Sequence, residues 1–191
     1  MKQLEERILA DATVKPDGVL KVDAFLNHQM DIHLFQQMAQ EWQVAFAGKP
    51  INKVLTIEAS GIGLATVVGM VFDVPVVFAK KNKSTDLDGT VYFTEVTSNP
   101  GNIKSKVIIS KKYITAADHI LLIDDFLANG TAMTGLTSIC EHAGATVEGI
   151  GIAIEKCWEP GGDLLREQGY QVEALARIAE MNAETGEIEF A

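Results

Sequence analysis

The sequence has few cysteines, no long apolar run and no excess of basic residues. Its two cysteines, Cys140 and Cys157, are too few for a disulfide framework, and no Cys-x-x-Cys or Cys/His cluster predicts a structural zinc site. No stretch approaches the roughly 18 consecutive apolar residues of a membrane span. The first residues also lack the apolar core of a signal peptide. Together these absences predict a protein of the reducing cytoplasm.

The net charge of −10 argues against general nucleic-acid binding. The charge is unevenly distributed, since residues 80–112 carry seven lysines and only three acidic residues. Either a local anion site or a solvated surface loop explains this lysine-rich segment when the charge is considered alone. No repeat or Pro/Gly/Ser-rich linker divides the 191 residues, which predicts a single domain over 1–191.

Apolar strand-like runs alternate with helical patterns along the chain. Strands are predicted over 53–58, 74–79, 119–125, 147–155 and 170–178, and helices over 2–11, 32–47, 62–72, 131–143 and 161–169. Residues 21–31 are irregular and end at Asp31, a candidate N-cap for the helix over 32–47. The tail after residue 177 fits either a hairpin or a frayed end. A polar turn between residues 90–96 and 106–110 predicts a β-hairpin. The alternation predicts an α/β fold with a central, mostly parallel sheet flanked by helices. Ligands bind at the carboxyl ends of strands in such sheets, which indicates loops 58–63, 80–106, 124–132 and 155–161.

The segment 120–132 has the clearest chemical pattern. An apolar strand ends in Asp124 and Asp125, and a turn of small residues then leads into a helix. Backbone amides at a helix N-terminus bind phosphate. Adjacent carboxylates repel that phosphate but suit vicinal hydroxyls or a magnesium ion. The combination predicts a sugar-phosphate site, although spacing alone leaves open that one acid merely caps the helix.

This run resembles the signature of type I phosphoribosyltransferases: four apolar residues, two acids, two apolar residues and a small-residue loop. The resemblance implies that Asp124 and Asp125 are catalytic, hold the ribose hydroxyls of phosphoribosyl pyrophosphate (PRPP) and contact Mg²⁺ indirectly. It also implies that the loop binds the 5′-phosphate through Ala128, Asn129, Gly130, Thr131 and Ala132. The implied fold is that of the type I family, with a flexible β-hairpin hood and a small base-binding hood built from the two termini. A homodimer and PRPP-bound Mg²⁺ are further implications.

Two other segments resemble the same family. Glu58-Ala59-Ser60-Gly61 resembles its pyrophosphate loop, which assigns Ser60 and Gly61 to PRPP. The start of the lysine-rich segment resembles the base of the hood, which assigns Lys81 to catalysis and Lys83 to PRPP. Gly61-x-Gly63 also fits the beginning of a dinucleotide fingerprint. That alternative is disfavoured because Thr66 stands where glycine or alanine is needed.

The chain as a whole is similar to the bacterial members of this family that act on xanthine. The resemblance implies that Leu20, Asn27 and Lys156 contact the base. An ammonium group suits a 6-oxo rather than a 6-amino purine, and a carboxamide offers both a donor and an acceptor. Without the resemblance, Leu20 also fits core packing, Asn27 fits a turn and Lys156 fits a solvated strand end. Ala128 replaces the aspartate that handles the purine proton in the hypoxanthine–guanine members, so this chain lacks that general base.

The expected activity is transfer of the phosphoribosyl group to N9 of xanthine, giving xanthosine monophosphate and pyrophosphate in purine salvage. Two alternatives stay open: preference for guanine or hypoxanthine, and a non-enzymatic, PRPP-sensing regulator. Regulators of that kind add an N-terminal DNA-binding domain. Residues 1–50 contain only five basic residues and no basic recognition helix, which disfavours DNA binding. No nucleic-acid or membrane partner is therefore expected.

Overall fold

The structure is a computed structural model that describes residues 1–16, 18–82, 89–98 and 103–191. The helices are α1 (Lys2–Asp11), α2 (Ile32–Ala45), α3 (Ser60–Phe72), α4 (Thr131–Ala143) and α5 (Gly161–Glu167). The strands are β1 (Thr13–Val14), β2 (Leu20–Lys21), β3 (Lys53–Ile57), β4 (Val76–Asn82), β5 (Val91–Ser98), β6 (Ile103–Ser110), β7 (His119–Leu127), β8 (Thr146–Lys156), β9 (Val172–Met181) and β10 (Ile188–Phe190). No helix in these ranges is long and apolar enough to cross a membrane.

Within the described residues, eight strands form one mixed sheet in the order β10-β9-β8-β7-β3-β4-β6-β5. The five central strands, from β9 to β4, are parallel, and the strands at both edges are antiparallel. The prediction of a mostly parallel central sheet is therefore confirmed. The carboxyl ends of β3, β4, β7 and β8 meet at one edge, which is where the functional loops begin.

Both faces of the central sheet are buried, as the uninterrupted apolar runs predict. Along β7, Leu121 and Ile123 face a core shared with α1, α2 and α3, whereas Ile120 and Leu122 face a second core against α4 and α5. This division follows from the two-residue period of a strand. Helix α2 begins as predicted at Asp31, whose carboxylate accepts the Leu34 amide at 3.1 Å.

The predicted hairpin extends the main sheet. Strand β4 runs to Asn82, three residues beyond its predicted end, because Lys80–Asn82 pair antiparallel with residues 106–108 of β6. Sequence periodicity missed this continuation, since the lysines interrupt the apolar run. The C-terminal tail, for which a hairpin and a frayed end were both considered, forms a hairpin with β9 through β10.

The N-terminal segment between α1 and α2 is irregular, as its pattern indicated. Strands β1 and β2 form a short antiparallel pair, and a single π-helical turn follows at Asp23–Asn27. Leu20, Phe25 and Leu26 are buried and fasten this segment to the core on the α2 and α3 side. The segment therefore lies close to the sheet edge at which the loops meet.

Candidate active site

A cavity of about 630 Å³ opens at the carboxyl ends of the central strands. It brings together residues from loops that are far apart in sequence. Of the predicted site residues, those lining it are Ser60, Lys81, Asp124, Asp125, Ala128, Asn129, Gly130, Thr131, Ala132 and Lys156. The parallel arrangement of β3, β4, β7 and β8 explains this convergence, because equivalent ends of parallel strands share one edge.

Asp124 and Asp125 lie near the carboxyl end of β7 and are only 5% and 7% exposed. Burial, followed by the neighbouring charge of Asp125, raises the pKa of Asp124 well above its ordinary value. The positive charge of Lys81 acts in the opposite direction, which places this lysine within electrostatic reach of the acids. Carboxylate oxygens accept hydrogen bonds, so two adjacent acids can each accept from one of two vicinal hydroxyls.

Ser60 begins α3 and connects the first loop to the acids. Its hydroxyl donates to Asp125 Oδ1 at 3.0 Å. The preceding peptide bond, Glu58–Ala59, is cis. The Glu58 carboxylate accepts the backbone amide of Lys81, which links this loop to β4. Sequence reasoning quoted Glu58 as part of the loop but did not foresee that it anchors the lysine.

Gly61 is buried directly behind the acids rather than in the cavity lining. A Cβ atom at this position would stand 2.1 Å from Thr56 Oγ1 and 3.0 Å from Asp124 Oδ1. Glycine therefore allows the first turn of α3 to approach the end of β7. The predicted direct contact of Gly61 with PRPP stays a prediction.

The loop between β7 and α4 is built as a tight turn. Gly130 has φ +80°, a left-handed conformation that glycine adopts without strain. Asn129 Oδ1 accepts the Thr131 amide at 3.1 Å and the Thr131 hydroxyl at 2.9 Å, which fixes the start of α4. Ala132 and Met133 follow in the first helical turn, where amides have no acceptor within the helix. This arrangement suits a phosphate group.

Lys156 lies at the end of β8 and lines the cavity. Its ammonium group donates to the Gly18 carbonyl at 3.0 Å and stands 5.7 Å from the centre of the Trp158 ring. Gly18, Val19 and Trp158 also line the cavity. Trp158 is 47% exposed and forms part of the cavity wall.

Besides Gly61, three predicted residues are not among those lining the cavity. Leu20 is 5% exposed and packs in the core, while Asn27 is half-buried at the end of the π-helical turn. The assignments of both to the base stay predictions. Lys83 lies outside the described residues.

An ion-pair cluster beside the cavity escaped the sequence analysis. Glu155 is 2% exposed, and its carboxylate accepts from Arg166 at 2.6 and 2.7 Å and from Arg177 Nε at 3.1 Å. Burial by itself raises the pKa of Glu155, but hydrogen bonds and charge from Arg166, with a further contribution from Arg177, bring the pKa below its ordinary value. An acid within an otherwise apolar strand was the available signal, since a buried carboxylate needs partners.

Comparison with known proteins agrees with the geometry. The phosphoribosyl transferase domain model matches residues 22–180. The chain belongs to the phosphoribosyltransferase family. The family resemblance stated from the sequence is thereby confirmed.

Two curated relatives in this family are similar over nearly all of their length. A xanthine phosphoribosyltransferase of Bifidobacterium longum subsp. infantis is 59% identical over 191 residues, covering 100% of this chain and 99% of the relative. A xanthine phosphoribosyltransferase of Finegoldia magna is 54% identical over 178 residues, covering 93% of this chain and 94% of the relative.

Solved structures share the phosphoribosyltransferase fold at low sequence identity. An adenine phosphoribosyltransferase from Rhodothermus marinus has a TM-score of 0.73 at 19% identity, covering 93% of this chain and 99% of the other. An adenine phosphoribosyltransferase from Saccharomyces cerevisiae has a TM-score of 0.71 at 17% identity, covering 92% and 99%. These similarities establish the fold and leave the identity of the base to the residues of the site.

Proposed function

We propose that this protein is a xanthine phosphoribosyltransferase, which transfers the 5-phosphoribosyl group of PRPP to N9 of xanthine and releases pyrophosphate. The observation that carries this proposal is a single cavity that joins an acid pair, a phosphate-type loop and a strand-end lysine. Identities of 48–59% to curated xanthine phosphoribosyltransferases support the choice of substrate.

Each part of PRPP has a chemically matched surface in this cavity. The turn at 128–132 suits the 5′-phosphate because it combines close backbone approach with helix-terminal amides. Asp124 and Asp125 suit the two ribose hydroxyls. Ser60 and Lys81, which line the same cavity, suit the diphosphate. Lys156, also in the lining, suits the base.

The reaction breaks the bond from the anomeric carbon to the diphosphate oxygen and forms a bond to N9, with loss of one proton from the purine. Positive charge develops on the ribose while negative charge grows on the departing diphosphate. The buried carboxylates stabilise the positive charge on the ribose, and Lys81 stabilises the negative charge on the diphosphate. Fixed charges act strongly on separating charges in a site of low water content. Exclusion of water also suppresses hydrolysis of PRPP.

Magnesium fits this donor set as a companion of the substrate. Among the described residues, no group of three or more His, Cys, Asp or Glu side chains converges on a possible metal position. Mg²⁺ is commonly held by one or two carboxylates, water and substrate phosphates, rather than by an all-protein cage. Asp124 and Asp125 would contact it indirectly, and the ion would neutralise diphosphate charge when bound.

Lys156 carries the preference for an oxo-purine. An ammonium group has three donors and no acceptor, so it pairs with a purine carbonyl but not with the amino group of adenine. One donor is directed at Gly18, which leaves others for the base. Discrimination by such a polar site reaches roughly 10⁴-fold when the wrong ligand leaves a buried group unpaired.

The test is release of pyrophosphate from PRPP and Mg²⁺ with xanthine, guanine, hypoxanthine and adenine in parallel. We expect the highest kcat/KM with xanthine and negligible turnover with adenine. A maximum with another purine would overturn the base assignment while preserving the reaction class. Tight PRPP binding without turnover on any base would instead favour the PRPP-sensing regulator.

We also propose that the protein is a cytoplasmic homodimer. An apolar groove of about 400 Å³ lies on the β4–β6 part of the sheet, lined mainly by Val76, Val77, Phe78, Val91, Ile108, Ile109 and Tyr113. Phe78 and Tyr113 are 39% and 59% exposed, and exposed apolar patches of this kind mark interaction surfaces. Analytical ultracentrifugation should give twice the chain mass of 20.7 kDa. A monomeric mass at working concentration would refute the dimer, and Phe78→Lys should shift a dimer toward monomer.

A further inference from the structure

The ion-pair cluster at Glu155 connects strand β8 to helix α5. Glu155 directly precedes Lys156 on β8, and its carboxylate is gripped at both oxygens by Arg166 on α5. Bidentate arginine–carboxylate pairs fix orientation as well as distance. A Cβ atom at Gly162 would stand 1.9 Å from Glu155 Oε1, so the first turn of α5 packs directly over the carboxylate. The cluster therefore fixes the position of α5 relative to β8.

The first turn of α5 in turn supports the phosphate-type loop. The Gly161 amide donates to the Ala128 carbonyl at 2.9 Å. A Cβ atom at Gly161 would stand 2.4 Å from both the Ala128 oxygen and the Gly130 nitrogen, so backbone meets backbone with no room for a side chain. Conversely, a Cβ atom at Gly130 would be 2.8 Å from Gly161 Cα. The first turn of α5 therefore packs against the backbone of the loop that suits the 5′-phosphate and restricts its position.

We propose that Glu155 and Arg166 are positioning residues that, through Gly161, hold the 5′-phosphate loop in register with the base-binding lysine. This inference rests on the proposed function. Neither side chain lines the cavity, so both act through their neighbours. The alignment matters because the anomeric carbon must face N9 within a few tenths of an ångström, and a displacement of about 1 Å costs roughly a hundredfold in rate.

Two sets of variants test separately the contact of Gly161 with the phosphate loop and the ion pair of Arg166 with Glu155. Gly161→Ala displaces the phosphate loop and leaves the Glu155–Arg166 pair intact. We expect the KM for PRPP to rise at least tenfold and the KM for xanthine to change less than threefold. Arg166→Leu removes both hydrogen bonds from Arg166 to Glu155 and leaves only the one from Arg177, so both KM values should rise. Arg166→Lys keeps the positive charge but cannot form the bidentate pair of hydrogen bonds. It should therefore raise the KM values less than Arg166→Leu does. Glu167→Gln, at an exposed position of α5, is the matched control and should leave both KM values unchanged.

A purely structural role makes a different prediction. Lower thermal stability with unchanged KM values for Gly161→Ala would overturn the proposal, as would full recovery by Arg166→Lys. If Arg166→Leu does not fold, Gly161→Ala and Arg166→Lys still decide the outcome. The PRPP dissociation constant of Gly161→Ala, measured by calorimetry against wild type, tests the support even if no purine is turned over. An unchanged constant would refute the proposal independently of the proposed activity.

Discussion

The Ser60 hydroxyl donates a 3.0 Å hydrogen bond to Asp125 Oδ1 across 65 residues of sequence. It joins the beginning of α3 to the end of β7, and so connects the surface that suits diphosphate to the one that suits ribose. Asp125 Oδ1 also accepts the Phe126 amide at 3.1 Å, which restricts the carboxylate further. The acid is therefore oriented before any substrate arrives.

The first prediction concerns this bond. Ser60→Ala should raise the KM for PRPP about tenfold or more, because a hydrogen bond to a charged group contributes about 1.5–3 kcal/mol. Steady-state kinetics with PRPP varied at saturating xanthine measures the effect. Ser138→Ala on α4 is the matched control. Equal KM values in Ser60→Ala and wild type would remove this hydrogen bond from substrate binding.

The second prediction addresses the base. Lys156→Met keeps most of the side-chain length but removes the charge and its donors. The KM for xanthine should rise about a hundredfold, given about 1.5–3 kcal/mol for a charged hydrogen bond and the cost of an unpaired base carbonyl. The KM for PRPP should change much less. Lys111→Met, on the turn after β6, serves as control, and equal losses for both substrates would contradict the assigned role.

The third prediction is a pH dependence of stability. Because the pKa of Asp124 is raised in the folded protein, its contribution to folding is most favourable below the ordinary value of 3.8 and is lost as pH rises through the raised value. Asp124→Asn does not titrate and escapes this loss. Thermal unfolding should therefore show a larger gain in Tm for Asp124→Asn at neutral pH than near pH 3.8. A gain independent of pH would contradict the burial argument.

The fourth prediction concerns Thr56, which is fully buried beneath Asp124. Its hydroxyl finds no hydrogen-bond partner among the described side chains and backbone. Thr56→Val keeps the shape and removes the unsatisfied group, so we expect unchanged or increased stability, by up to about 1–3 kcal/mol. Thr66→Val is the contrasting control, since the Thr66 hydroxyl donates to the Ile62 carbonyl at 2.8 Å. Chemical denaturation measures both, and clear destabilisation by Thr56→Val would show that the hydroxyl is used.

Much of the fold follows from local pattern. The apolar run before Asp124 and Asp125 predicted a buried strand over 119–125, and β7 covers these residues and continues to Leu127. Asp31 predicted the start of α2, and its side chain makes the cap. These predictions succeed because strand period and helix capping depend on neighbours within a few residues. The extension of β4 into the hairpin was missed because pairing with β6 outweighs the local effect of Lys80 and Lys81.

The sequence by itself determined the acid pair, the small-residue loop and Lys156, because each is a short pattern at the end of a strand. The roles of these residues and the single-domain organisation over 1–191 stay predictions. Only the tertiary structure decided which residues support the site. Glu155, Arg166 and Gly161 meet because α5 folds back over β8 onto the loop after β7, and no local period records such a contact. Packing between distant segments brings these residues together. A reaction at one carbon atom depends on such packing, because the groups that hold the substrate must be precisely placed.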